Sequence, residues 1–294
     1  MPQTRRGAND QPVNYLTMLA AAGLLLVGSG MLLAAAPVSD LAPVARQGDD
    51  EDEEEVALLS EEDINLIQVY EIDMDTEPRV QIDRDVLQEF LDDPAYAGRD
   101  GMPTGRDGHR DFLRWEGWQQ LELFFSMRAR EYYGSVRVRE EPETMRAWQR
   151  LNSRYISQYF MRTFANKPLG PGVELRYQGR PISQIPLLGP GRNADAIAYT
   201  NFYILTQMTA NGIPFIDRDH PEESILVQWG LPREDAKFRA PNIDGWRARF
   251  RGMEDEDPRR EELIAWVSSL VAVNQDSQYG VEFTPTVNDE EDGE

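Results

Sequence analysis

The sequence predicts a mainly α protein with short β pieces: a single N-terminal transmembrane helix followed by an extracytoplasmic helical globular region. Three observations predict it. Tyr15–Ala36 is a run of twenty-two residues without one charged side chain. Helical apolar spacing recurs at 110–131, 142–164, 193–209 and from Pro258 onward. The stretches between them are short and either alternate in polarity or are rich in glycine and proline.

Tyr15–Ala36 is read first because it places the chain. A helix rises about 1.5 Å per residue, so about 20 apolar residues cross the roughly 30 Å hydrocarbon core of a bilayer. The competing reading is a cleaved signal peptide, whose apolar region is about 7–15 residues long. Ala34–Ala36 offers a small-residue cleavage site, but the run is too long and Pro37 follows at once. An uncleaved anchor is the better fit. Arg5 and Arg6 precede it, opposed only by Asp10, and acids dominate after it. The positive-inside rule then sets residues 1–14 in the cytoplasm and the bulk of the chain outside the cytoplasmic (inner) membrane.

Composition excludes several chemistries. The chain has no cysteine, which removes disulfides, thiolate catalysis, cysteine-ligated zinc, iron–sulfur clusters and Cys-x-x-Cys-His haem attachment. The formal charge is -22 and the pI about 4.5. That balance lacks the basic footprint of a nucleic-acid-binding protein. It also repels anionic headgroups, so the globular part stands off the bilayer. The expected partners are the membrane, through the N-terminal helix, and a protein of the envelope.

Residues 37–59 form an acidic flexible linker with seven consecutive acids, Asp49–Glu55. Residues 60–166 form a helical N-terminal region. Ser60-Glu61-Glu62-Asp63 has the pattern of a capping box, and Ile67–Ile72 alternates like a strand. Asp73–Pro78 resembles the start of a calcium loop but has Pro78 and Arg84 where glycine and glutamate are required, so a turn is expected. Asp85–Asp93 reads as a helix, 98–108 as a loop, and 110–131 as one long helix. Val136 and Val138 suggest a short extended piece. In 142–164, Met145, Trp148, Asn152, Tyr155, Ile156 and Tyr159 share one face of a helix that opens at Pro142.

Residues 167–192 are a Gly/Pro-rich loop in which Leu-Gly-Pro-Gly occurs twice, at 169–172 and 188–191. Inside it Val173–Gln178 alternates and Gly179-Arg180-Pro181 reads as the turn. Residues 193–287 are a helical C-terminal region. It holds helices over 193–209 and 222–229, a loop over 232–251, and a last helix opened by Asp257-Pro258. There Leu263, Trp266, Val267 and Leu270 follow the i, i+3, i+4, i+7 pattern. Tyr279–Pro285 suggests a final strand, and 288–294 is an acidic tail.

No complete catalytic signature is present. There are two histidines, His109 and His220, with no Gly-x-Ser-x-Gly and no His-Glu-x-x-His. The best local cluster is Asp217, Asp219 and His220, whose carboxylates and imidazole are the groups that ligate a divalent metal or exchange protons. The same residues also suit an acid-rich helix start. No cofactor is expected.

Asp219-His220-Pro221-Glu222-Glu223-Ser224-Ile225-Leu226-Val227, then Trp246-Arg-Ala-Arg-Phe250, then Glu262-Leu-Ile-Ala-Trp-Val-Ser-Ser-Leu270 resemble the distal half of a cytochrome c-like domain of the planctomycete type. The likeness spans 140–272. At Tyr159–Lys167, where that family places Cys-x-x-Cys-His, there is neither cysteine nor histidine, so none of the family's haem residues carries over. The resemblance implies a haem-free relative, with Tyr155, Tyr159, Phe160 and Phe164 as bulk in place of a porphyrin. The expected function is a membrane-anchored extracytoplasmic binding or scaffolding protein. The alternatives are a membrane-tethered metal-dependent hydrolase using Asp217, Asp219 and His220, and an electron-transfer protein with non-covalent haem.

Overall fold

A computed structural model describes residues 57–252, 254–271 and 279–286, which belong to one compact unit, Glu54–Glu294. The expected anchor 15–36, the acids 49–55 and the tail 288–294 lie outside the described residues. The described part is mostly helical, with two small antiparallel sheets. No described helix is long and apolar enough to cross a membrane.

The chain enters through helix α1, Glu61–Tyr70. Its capping box is formed: the Asp63 N–H donates to Ser60 Oγ at 3.1 Å, and the Ser60 N–H donates to Asp63 Oδ2 at 3.2 Å. This helix runs through the segment expected to be a strand. Ile67, Val69 and Tyr70 are all buried although they lie on different sides of it, and a helix end buried all round mimics strand alternation over a few residues. Asp73–Pro78 is a turn, as expected: Asp73 Oδ1 accepts the Asp75 N–H at the start of a 3-10 turn, Met74–Thr76.

Strands β1 (Val80–Ile82) and β2 (Val136–Val138) pair antiparallel, Gln81 opposite Arg137. Asn65 covers the outer edge of β2, donating to the Val136 carbonyl at 2.6 Å and accepting the Val138 N–H at 3.0 Å. One side-chain amide thus does the work of a third strand. Helices α2 (Arg84–Asp92), α3 (Gly105–Phe112) and α4 (Gly117–Met127) occupy the connection. The single long helix expected at 110–131 is two helices. The break precedes Gly117, where an added Cβ would lie 2.2 Å from the Val80 carbonyl oxygen, so only glycine lets α4 start against β1. Phe90 packs against Phe112, Phe124, Tyr96 and Tyr132 beneath them.

The region 143–164 is continuous helix with a change of pitch. Helix α5 (Glu143–Leu151) passes into a π-helical segment, Asn152–Phe160, and then α6 (Met161–Phe164). Pro142 is the cap rather than the first helical residue. Helices α7 (Ala194–Gln207), α8 (Ile225–Gln228) and α9 (Pro258–Ser269) complete the helical layer. Asp257 caps α9, accepting the Arg259 N–H, with Pro258 at the first helical position. The four apolar positions read for this helix, Leu263, Trp266, Val267 and Leu270, are all buried. Trp148 stacks on Trp266 at 4.9 Å, and each indole N–H is satisfied, by the Ala198 and Thr144 carbonyls respectively.

The second sheet has the order β4-β3-β5-β6, from Leu175–Tyr177 (β3), Arg180–Ile182 (β4), Met208–Ala210 (β5) and Ile213–Pro214 (β6). The turn between β3 and β4 is Gln178-Gly179, both at positive φ, and Arg180-Pro181 expected in the turn lies in the strand. Two left-handed residues match the twist of a tight hairpin. Residues 279–286 form no strand. Tyrosine hydroxyls hold them instead, Tyr203 donating to the Val281 carbonyl and Tyr177 to the Phe283 carbonyl.

These parts meet at Glu71, the residue after α1, which is fully buried. Its Oε1 accepts from Arg218 Nη2 and from the Tyr279 hydroxyl, each at 2.7 Å, and its Oε2 accepts the Val271 N–H at 2.9 Å. Arg218 Nη1 donates to the Val271 carbonyl at 2.7 Å. Burial pushes the Tyr279 phenol well above its ordinary pKa, so it stays a donor to the carboxylate. Removing one partner of such a pair leaves the other charge desolvated and costs about 3–5 kcal/mol. Glu71→Ala is therefore expected to destabilise the protein by about 3 kcal/mol, and Tyr279→Phe by about 1 kcal/mol for a lost hydrogen bond. Urea denaturation of the two variants checks the order, which reverses if Tyr279 rather than Glu71 carries the contact.

Candidate ligand cleft on the π-helical segment

The cluster singled out in the sequence is assembled as a turn. Asp217 Oδ1 accepts the backbone N–H groups of Asp219 and His220 at 3.1 and 3.0 Å, the Asx-turn arrangement that aspartate favours. The Asp217 N–H donates to Ser224 Oγ at 2.9 Å. The His220 ring lies 3.9 Å from Asp217 Oδ1 and its side chain is 65% exposed. Among the described residues no three His, Cys, Asp or Glu side chains are gathered closely enough to hold a metal ion. Asp217, Asp219 and His220 thus share one loop, where Asp217's carboxylate is engaged by backbone. The turn positions Arg218 toward Glu71.

A cleft of about 510 Å³ opens elsewhere, between the π-helical segment and the first turn of α7. This is within the usual range of roughly 300–1,000 Å³ for small-molecule sites. One wall carries Gln149, Asn152, Ser153, Ser157, Gln158, Met161 and Arg162, and the other Pro190, Ala194, Asp195, Ile197 and Ala198. The pitch of the helix builds the first wall. A π-helix bonds i to i+5, as the Met161 N–H does to the Ile156 carbonyl. Residues four and five apart then share a side. Asn152 and Ser153 sit beside Ser157 and Gln158, giving a broad stripe of amides and hydroxyls.

The other side of the segment is fixed by tyrosines. The Tyr155 hydroxyl donates to the Leu226 carbonyl at 2.7 Å, and Tyr159's hydroxyl lies within 3.2 Å of the Trp229 carbonyl and 3.1 Å of the Arg247 carbonyl. Burial pushes the Tyr155 phenol well above its ordinary pKa and Tyr159 up to about 12, so both remain protonated. Phe160, Phe164, Phe215 and Trp229 pack together around them. The single face read from the sequence is thereby divided. Asn152 turns to the cleft, while Tyr155 and Tyr159 turn to α8. A 3.6-residue period cannot separate them; only the wider pitch does.

Asn201 sets the second wall. It is fully buried, accepts the Leu188 N–H at 2.8 Å and donates to the Leu188 carbonyl at 3.0 Å. It thereby pins the second Leu-Gly-Pro-Gly loop beside α7. Its Nδ2 also reaches Asn152 Oδ1 at 3.4 Å. Asn152 is 7% exposed, lines the cleft and spends its oxygen on that contact. The sequence offered one sign of this site, the repeated Leu-Gly-Pro-Gly, and no sign of Asn152 or Asn201 as a pair.

With this geometry defined, comparison of the chain with protein-family models, with curated proteins and with solved structures finds no match.

Asn201→Ala is expected to release the loop. The Leu188 N–H and carbonyl lose their partner, at about 2 kcal/mol of stability. Hydrogen–deuterium exchange should speed up at 188–192 with α9 unchanged. Unaltered exchange there would mean that the loop is held by other contacts.

Proposed function

We propose that the chain is a membrane-anchored extracytoplasmic binding protein whose ligand site is the cleft between the π-helical segment and α7. The observation that carries the reading is Asn152 on the cleft wall: its oxygen is held by Asn201, and its amide nitrogen, bonded to no described residue, is open to solvent. A ligand acceptor replaces water on that donor. Gln158 adds a second amide, and Ser153 and Ser157 add hydroxyls. Side-chain amides pair donor for acceptor with a peptide group. Arg162 and Asp195 supply opposite charges on the two walls, while Met161, Pro190 and Ile197 offer apolar contact. This set suits a short polar peptide segment, consistent with a protein partner in the envelope.

The experiment is saturation-transfer NMR of the full-length protein with a mixture of N-acetyl tripeptide amides. Contacts are expected, and they should vanish in Ala194→Phe, which fills the cleft from an exposed position. No contact with any peptide, or contacts untouched by Ala194→Phe, would overturn the reading. The location rests on Tyr15–Ala36 and on Arg5 and Arg6 before it. A reporter active only in the cytoplasm and fused after Glu294 should stay silent, and a strong signal would reverse the orientation.

Kinship with haem-free cytochrome c-like domains belongs to the same proposal. It is supported by the resemblance across 140–272 and by the packed rings of Tyr155, Phe160, Phe164 and Trp229. Purified protein expressed with ample haem should show no Soret band. A band that survives acid–acetone extraction would overturn the absence of covalent haem, and a band lost on extraction would favour the electron-transfer reading.

A further inference from the structure

An amide side chain has nearly the same shape either way round, so its partners alone decide which end it offers. Two amides on the cleft wall have partners that allow one orientation each. Gln149, in the last turn of α5, donates its Nε2 to Glu141 Oε1 at 2.8 Å. A carboxylate only accepts, so this amide cannot turn over. Glu141 is itself held as an acceptor. The Tyr199 hydroxyl donates to the same oxygen at 2.7 Å, and Gln68 Nε2 donates to that hydroxyl at 2.8 Å. Burial pushes the Tyr199 phenol far above its ordinary pKa, so it stays a donor.

Asn152 is fixed the opposite way. The Leu188 N–H takes Asn201 Oδ1, so Asn201 shows its NH2 to Asn152, which accepts through Oδ1 at 3.4 Å. Turned over, Asn152 would set two NH2 groups against each other. What remains is an acceptor on Gln149, Oε1, and a donor on Asn152, Nδ2. Neither is bonded to a described residue and neither is sealed from solvent. The Asn152 backbone N–H donates to the Gln149 carbonyl. The two residues are therefore neighbours three apart on one helix face, about 5–6 Å from each other at Cβ, and both line the cleft.

Given that the cleft is the peptide site, we propose that Gln149 and Asn152 read the backbone of an extended peptide in one direction: Gln149 Oε1 accepts a ligand N–H, and Asn152 Nδ2 donates to a ligand carbonyl. An extended residue turns its own N–H and C=O to the same side, which is the pattern this pair of amides meets. The ligand chain then runs from α5 toward α6. Its polarity is set from behind the cleft wall, by Glu141 and Asn201.

The test titrates the full-length protein by NMR with N-acetyl tripeptide amides and with matched esters, in which each peptide N–H in turn is replaced by oxygen. Wild type should bind one ester of each set about tenfold more weakly than its parent amide. In Gln149→Met the parent amide should weaken about tenfold and that ester should weaken no further, which separates the lost N–H from the poorer carbonyl of an ester. Asn152→Asp keeps an oxygen for Asn201 but puts an acceptor in place of the donor, and should weaken every peptide about tenfold. The wild-type comparison needs no variant, so it decides even where a variant fails to fold. Esters that bind as well as amides, or an amide preference unchanged in Gln149→Met, would overturn this inference, while loss of binding in Ala194→Phe would keep the cleft as the site. No binding of any peptide would overturn both.

Discussion

A buried carboxylate with three donors organises this fold. Glu71 ends α1, yet its oxygens bind Arg218 from the loop before α8, Tyr279 from the C-terminal segment and the N–H of Val271 just after α9. A carboxylate without these partners would be too costly to bury. The partners in turn could not reach it unless α1, α9 and the 217–224 turn were docked. The network thus couples elements that have no helix or sheet bonds to one another. Its geometry also explains the Asp217 cluster, because the Asx turn at Asp217 directs Arg218 inward and leaves His220 at the surface.

The same economy of polar contacts recurs. Asn65 serves as an edge strand for β2, and Asn201 serves as one for Leu188. Tyr177 and Tyr203 hold the C-terminal segment by its carbonyls in place of a ladder. In each case a side chain satisfies backbone groups that regular structure leaves over, as burial demands. The π-helical segment sits among these devices. Tyrosine bonds to the α8 region fix one side of it, and the wider pitch spreads polar residues across the other. The cleft is therefore a product of one irregular helix and the loop packed against it.

Much of the helical layer was legible in the sequence because its signals are local. The Ser60 capping box, the Asp257-Pro258 start and the spacing of Leu263, Trp266, Val267 and Leu270 each depend on neighbours within a turn or two. The strand read at 67–72 failed because burial on all sides erases the helical period. The long helix read at 110–131 failed because the break depends on Val80, which meets Gly117 only in three dimensions. The Asp217–His220 cluster was visible as composition, but its engagement with backbone N–H groups was not.

By itself, the sequence determined the mainly helical class, the helix starts, the apolar run at 15–36 and the exclusion of all cysteine chemistry, since each follows from residue type or short-range spacing. Tertiary structure alone decided the rest. Glu71 meets Tyr279 across 208 positions of chain, and Asn201 meets Leu188 only when α7 is packed. The π-helical segment, which forms one wall of the cleft, is held by hydroxyl bonds from Tyr155 and Tyr159 to carbonyls some seventy or more residues away. Whether a buried polar group has a partner is a property of the packed whole, so the contact of Asn201 with Asn152 on the cleft wall emerges only there.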